Sequence, residues 1–285
     1  MLEKVLINRI NRHIYSHYYI NTNQYVFTPQ RSTIDVAMAV KDSVEGLIAG
    51  ELRVLVSLDV NGAFDAAWWP NILNGLKVRG CPKNLYNLTK SHFSQRTAIL
   101  STNSVRMERE VSKGCPQVSC CGTGFWNIQY NSLLNLKFTR RAKAVAFTDD
   151  LILAIRGEAV SEIENFSNLE LSKITARSKS NKISFNEEKS KVMLISRRKR
   201  KEVKEIKVYL INKPSEQVTT MKYLGIIVDN KFKFSEHVSY AAERCTKLIH
   251  ILSKSAKVSW ELKHEALKTI YKGVILLLLL YGGPV

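Results

Sequence analysis

Apolar residues recur along this chain with two periods. Leu2, Val5, Leu6, Ile10 and Ile14 fall on one helical face and predict an amphipathic helix over residues 2–20. After a loop holding Pro29, "STIDVAMAVKDSVEGLIAG" opens on a Ser/Thr cap and closes at Gly50, which predicts a second helix. "RVLVSLD" is a short β-branched run and reads as a buried strand with Asp59 at its carboxyl end. "NILNGLKVRG" and "KNLYNLTKSHFSQR" predict helices, and "RTAILSTNSVRMEREVSKG" two strands about a turn at Thr102–Asn103. A loop, "CPQVSCC", leads into a helix, "GTGFWNIQYNSLLNLK". The hairpin "AVAFTDDLILAI" follows, and then a long helix from about Ser161 to Asn181. "KISFNEEKSKVMLIS" reads as strand, turn, strand, and "EIKVYLINKPSEQVTTMKYLGIIVD" as further β structure with a turn at Lys213–Pro214. Two final helices each open on Ser with Glu close behind. The middle therefore mixes α and β and the tail is helical, an α/β (α+β) class.

Composition narrows the partner. The 285 residues are 45% hydrophobic, enough for one large core or two modest ones and too apolar for a disordered chain. Lys plus Arg number 43 against 25 Asp plus Glu, a formal charge of +18. That field favours a polyanion, nucleic acid first, with a membrane surface or an acidic protein as alternatives. "VILLLLLYGG" is too short to cross a bilayer and reads as a buried helix. The amphipathic start is no signal peptide. Cys81, Cys115, Cys120, Cys121 and Cys245 show no CxxC pair, so reduced, mostly packed thiols in an intracellular protein are expected.

The acidic hairpin carries the candidate chemistry. Asp-Asp is a mediocre turn pair, because two-residue hairpins favour Asn-Gly or Asp-Gly. Adjacent carboxylates repel, and nothing basic lies within four residues on either side. A bound divalent cation is the economical reason to place them there, with a plain surface turn as the other reading. Side chains alternate along a strand, so Asp149 is expected to face the metal and Asp150 to assist from the side. A second ligand is available at Asp59, if its strand neighbours the hairpin in one sheet. Two metals clamped there would serve an in-line phosphoryl displacement.

"FTPQRST", "SLDVNGAFD", "KGCPQVS", "AFTDD", "NKISFNEEKSKVM" and "KYLGIIVDNKFKFSEH", in that order, resemble the reverse transcriptase domain of non-LTR (LINE-type) retrotransposons, closest to arthropod elements. The resemblance covers nearly the whole chain. It implies a right-hand polymerase: partial fingers over 1–50, a palm with inserted fingers elements and a primer-grip region over 51–234, and the start of a helical thumb over 235–285. It implies an RNA-directed DNA polymerase with two Mg²⁺, Mn²⁺ being an alternative, acting on an RNA template, a DNA primer and deoxynucleoside triphosphates. Asp59, Asp149 and Asp150 match its metal ligands, with the Val60 carbonyl assisting. Phe64 matches the residue under the incoming sugar, and Gln117 the glutamine beside the templating pair. Lys189 matches the lysine that protonates pyrophosphate, and Arg31 lies where the family contacts template or nucleotide. No membrane partner is implied, and nucleus and cytoplasm are the expected compartments.

The chain departs from the family's pattern at several places. Val118 and Val26 stand where glycine is usual, Arg177 where tryptophan is, Leu277 where proline is, and Thr148 where alanine is. The chain reads as an excerpt truncated at both ends, lacking a fingers strand and the endonuclease domain of the intact polyprotein. A catalytically impaired nucleic-acid-binding remnant is thus the alternative, and a metal nuclease a further rival. Three smaller features stay open. The basic run over residues 196–207 suits an import-like signal, a phosphate grip or a solvated hairpin tip. His13 and His17 have the spacing of a zinc pair or of a helix surface pair. The aromatics and bases of "HIYSHYYINTNQY" suit stacking on nucleotides or ordinary packing.

Overall fold

The computed structural model describes residues 2–17, 19–46, 50–103, 105–116, 119–196, 205–258 and 264–285. Its centre is β1 (Leu52–Val60), the continuous apolar run of the sequence. Strands β4 (Ala142–Phe147) and β5 (Asp150–Gly157) form the acidic hairpin, and β6 (Phe185–Ser196) lies on the other side of β1. With the short β9 (Glu216–Gln217) they form a sheet of order β4-β5-β1-β6-β9. Neighbours run antiparallel except β6 and β9.

A strand reads as uninterrupted apolar sequence when both its faces are covered. Here they are. Leu52, Val54, Val56 and Leu58 pack against helices α1 (Leu2–Ser16), α3 (Trp69–Val78), α5 (Gly122–Leu134) and α6 (Val160–Ser180). Leu55, Ile152 and Met193 face the other way, toward α2 (Thr33–Asp42) and a hairpin of β10 (Thr220–Tyr223) and β11 (Ile226–Asp229). Helix α5 is buried along nearly its whole length and crosses α1 closely. A Cβ on Gly124 would stand 2.4 Å from Ile7 Cδ1, so any larger residue there would force the Ile7 side chain to move.

Between α3 and α5 lie helix α4 (Lys83–Phe93) and an exposed hairpin, β2 (Thr97–Ser101) with β3 (Arg106–Glu110). The tail is helical: α7 (Ser235–Val258), α8 (His264–Ile270), a π-helical turn over Tyr271–Leu276, and α9 (Leu277–Leu280).

Three local expectations are corrected. Helix α2 stops at Asp42, where the Ser43 amide reaches back to Ala39 O and Val40 O. "NEEKSK" does not end a strand: β6 runs on through it with a bulge. Lys213–Pro214 is a strand, β8, paired with β7 (Tyr209–Leu210). The turn sits at Ile211–Asn212, whose φ values of 49° and 72° place both in the left-handed region that a tight hairpin demands.

Candidate active site

The register of the sheet builds the site. Asp59 is the penultimate residue of β1 and the direct cross-strand partner of Asp150, the first residue of β5. Such partners point to one face with Cα atoms about 4.5–5.5 Å apart. Asp149 lies next to Asp150 in the two-residue turn from Phe147 to Asp150. Ninety positions apart in sequence, Asp59 and Asp149 meet at one end of one sheet, as expected. Asp150 stands directly across from Asp59, and Asp149 adjoins it on the turn. Only the first turn residue, Thr148, has left-handed φ (55°). That sign pattern belongs to a II′ turn, which normally takes glycine there. The Trp126 indole N–H holds the turn by donating to Thr148 O at 2.8 Å.

The three carboxylates are half-buried and share a crowded electrostatic environment. Burial pushes the Asp150 carboxyl up from 3.8 to about 6, with Asp149 and Asp59 adding to the rise and Lys189 opposing it. Beside them Tyr130 is fully buried on α5 with a phenol oxygen that finds no hydrogen-bond partner. Burial and then the charges of Asp150, Asp149 and Asp59 hold its O–H protonated far above the usual range.

Lys189 reaches the same corner through the bulge in β6. Ser57 pairs with Lys191 and Asp59 with Asn186, so β6 advances five residues while β1 advances two. Asn186 makes that loop: its Oδ1 accepts from the amides of Glu188 (3.1 Å) and Lys189 (3.2 Å). Ser190 Oγ donates to Asn186 O at 2.6 Å. Lys189 Nζ then sits 3.5 Å from Asp59 Oδ2 on an exposed stem.

The remaining candidates fall into place around this corner. Val60 is buried and pairs with Phe185, fixing the strand end that carries Asp59. Phe64 is half-buried, its ring 6.0 Å from Trp126 and 6.4 Å from Phe27. Its carbonyl accepts from Cys115 N and Ala67 O from Gly114 N, which ties the loop before residue 117 to the Phe64 turn. Gly114, at φ 94°, brings its backbone close enough that a Cβ would lie 3.1 Å from Asp65 O. Gln117 and Val118 themselves lie outside the described residues, as does most of the 196–207 basic run (197–204). Arg31 is committed to the N-terminal segment: it donates to Thr22 O and lies 4.6 Å over the Tyr25 ring.

Of the departures, Val26 is buried without left-handed φ, and Arg177 and Leu277 are exposed. His13 and His17 lie with their rings 4.9 Å apart, and their nitrogens contact the carbonyls of Arg79 (3.0 Å) and His13 (2.8 Å). The cysteines are unpaired, and burial pushes Cys115 and Cys121 up to about 12.

The donor set fits magnesium in kind. It is all oxygen, and the like charges that raise Asp150 call for a cation. Among the described residues no three His, Cys, Asp or Glu side chains form a ready cage. Magnesium does not require one, because it commonly takes one or two carboxylates and completes its shell with water and substrate phosphates.

Solved structures place this arrangement in a known class. Telomerase from Candida albicans, in complex with a TWJ fragment of telomeric RNA, superposes with a TM-score of 0.55 at 14% identity. The match covers 82% of this chain and 38% of that one. Apo telomerase from Candida tropicalis gives 0.52 at 9% identity over 80% of this chain and 42% of its own. The architecture is the right-hand polymerase fold. Sequence narrows the class: the chain belongs to the reverse transcriptase (RNA-dependent DNA polymerase) family, whose sequence model matches residues 1–228.

Its relatives come from arthropod retrotransposons. The putative 115 kDa protein of type-1 retrotransposable element R1DM of Drosophila melanogaster is 27% identical over 285 residues. The Pol polyprotein of element R1 of Bradysia coprophila is 26% identical over 290. Both alignments cover 100% of this chain and 27% and 28% of the relatives, so the chain spans about a quarter of their length. A probable RNA-directed DNA polymerase from transposon BS of Drosophila melanogaster is 22% identical over 98% of this chain and 32% of its own length. Among the described residues no helix is long and apolar enough to cross a membrane.

The sequence reading missed Trp126, Tyr130 and Asn186. Asn186 had a signal, since an Asn opening a polar run between apolar segments makes Asx turns. Trp126 and Tyr130 sit at i and i+4 of an apolar helix and read as core.

Proposed function

We propose that this domain joins deoxynucleotides to the 3′-hydroxyl of a DNA primer paired with an RNA template. The observation that carries the reading is the cross-strand pairing of Asp59 with Asp150, with Asp149 on the adjoining turn. Two Mg²⁺ ions held by Asp59, Asp149 and Asp150 would neutralise charge on the attacking hydroxyl and on the departing pyrophosphate, and Mn²⁺ would substitute. The primer oxygen bonds to the α-phosphorus as the bond to pyrophosphate breaks. Lys189, beside Asp59 on an exposed stem, is placed to give that leaving group its proton. Phe64 lies under the sugar, where its ring collides with a 2′-hydroxyl and so favours deoxy substrates. Gln117 follows Cys115 and Pro116 in sequence, and in this reading its role is that of the family's glutamine beside the templating pair. Arg31 contributes from the fingers side, and the Val60 carbonyl assists at the metal.

This reading divides the chain into partial fingers (1–50), palm (51–234) and the start of a thumb (235–285). The +18 charge supplies the field that holds template and primer. The intact polyprotein supplies an endonuclease that nicks the target, and the protein works in nucleus and cytoplasm. Primer extension on an RNA template with Mg²⁺ tests the proposal. Extension by the wild-type chain, lost in Asp149→Asn, supports it. Tight binding of template and primer without extension points to the impaired remnant, and strand cleavage without nucleotides to a nuclease.

A further inference from the structure

We infer that Trp126 is a positioning residue that couples the sugar-sensing ring of Phe64 to the acidic turn. The inference rests on the nucleotidyl-transfer reading above and extends it to a side chain that holds no metal and lies behind the site. Trp126 is fully buried on α5. Its N–H donates to Thr148 O at 2.8 Å, the carbonyl just before Asp149. Its ring stands 6.0 Å from that of Phe64, tilted by 39°, and stacks on Tyr130 at 5.1 Å. One rigid bicycle thus touches both the catalytic turn and the residue that senses the 2′ position.

The helix fixes the second end of the same loop. Gln129, three residues on and therefore on the same helical side, accepts from Trp68 N at 2.7 Å through Oε1. Its Nε2 donates to Asn181 O at 3.3 Å. The Phe64 turn is thereby hung between Trp126 and Gln129, both on α5. Thr148 adds the reason a clamp is needed, since a β-branched residue at φ 55° resists the turn it occupies. Without the indole bond the turn relaxes, Asp149 moves with it, and the wall behind Phe64 yields. Positioning errors of this kind cost rate and selectivity together.

Trp126→Phe removes the donor and part of the ring. Extension with a deoxynucleotide should slow by about tenfold, the worth of one hydrogen bond. The preference for deoxy- over ribonucleotide should fall by a similar factor, with the KM for template–primer unchanged. A purely structural role would reduce activity with the folded fraction and leave the sugar preference within about twofold of wild type. That result overturns the inference. A second measurement needs no change at Trp126. In Phe64→Leu, hydrogen exchange at the Trp126 indole N–H, followed by NMR, should quicken by roughly tenfold, and unchanged exchange overturns the coupling. A wild-type chain that binds template–primer but extends nothing defeats the polymerase reading instead, and the exchange result then stands by itself.

Discussion

Asp150→Asn should make this protein more stable at pH 8 while abolishing its chemistry. The Asp150 carboxyl rises from the usual 3.8 to about 6 in the folded chain, first through burial and then through Asp149 and Asp59. Folding therefore favours its protonated form. Well below pH 3.8 the group is neutral in both states and carries no penalty. Between pH 4 and 6 the folded chain holds a proton that the unfolded chain has lost, so stability declines as pH rises. Above about pH 6 the full penalty applies. A rise of roughly two units at about 1.4 kcal/mol each gives ~3 kcal/mol. Solvent that still reaches the group reduces this to about 2 kcal/mol. The amide stays neutral throughout and escapes the penalty. Urea unfolding in the presence of a chelator at pH 4.5 and pH 8 measures it. The variant should gain about 2 kcal/mol at pH 8 and only about a third of that, ~0.7 kcal/mol, at pH 4.5. A variant less stable than wild type at pH 8, or a gain independent of pH, refutes the electrostatic account. Adding Mg²⁺ should narrow the difference, because the cation stabilises only the chain that binds it.

Three further outcomes follow from local geometry. Thr148→Gly removes a left-handed penalty of about 1–2 kcal/mol and adds unfolded-state entropy of up to ~1, so unfolding should show a net gain of about 0.5–1 kcal/mol. Glu170 is fully buried and accepts from Thr139 N (2.9 Å) and Lys173 Nζ (2.8 Å). Glu170→Ala should cost about 2–3 kcal/mol in the same assay, and a loss under ~0.5 would show that water replaces both bonds. Phe64→Ala should lower the preference for deoxy- over ribonucleotide by about 10- to 100-fold, with little change in the affinity for template–primer.

Much of the central sheet was legible because its strands are buried on both faces, so "RVLVSLD" and "DLILAI" appear as unbroken apolar runs. The acids stood out because nothing basic offsets them locally. Their convergence needed the family resemblance, since pairing across ninety residues leaves no local mark. Details that depend on distant backbone stayed hidden. Ile211 in a left-handed turn contradicts its own propensity, and the surrounding strands impose it. The bulge of β6 shows only against the register of β1. Trp126 looks like any core aromatic until the turn it clamps is folded beside it.

The most direct test of the shared carboxylate site is Mn²⁺ binding followed by electron paramagnetic resonance in the presence of template–primer and a nucleotide that cannot be incorporated. The wild-type chain should bind Mn²⁺, and both Asp59→Asn and Asp149→Asn should weaken it by about tenfold or more, as expected when ligands from two strands hold the same ions. If Asp59→Asn leaves Mn²⁺ affinity unchanged, the strand ends do not act together, and the polymerase account of this fold fails.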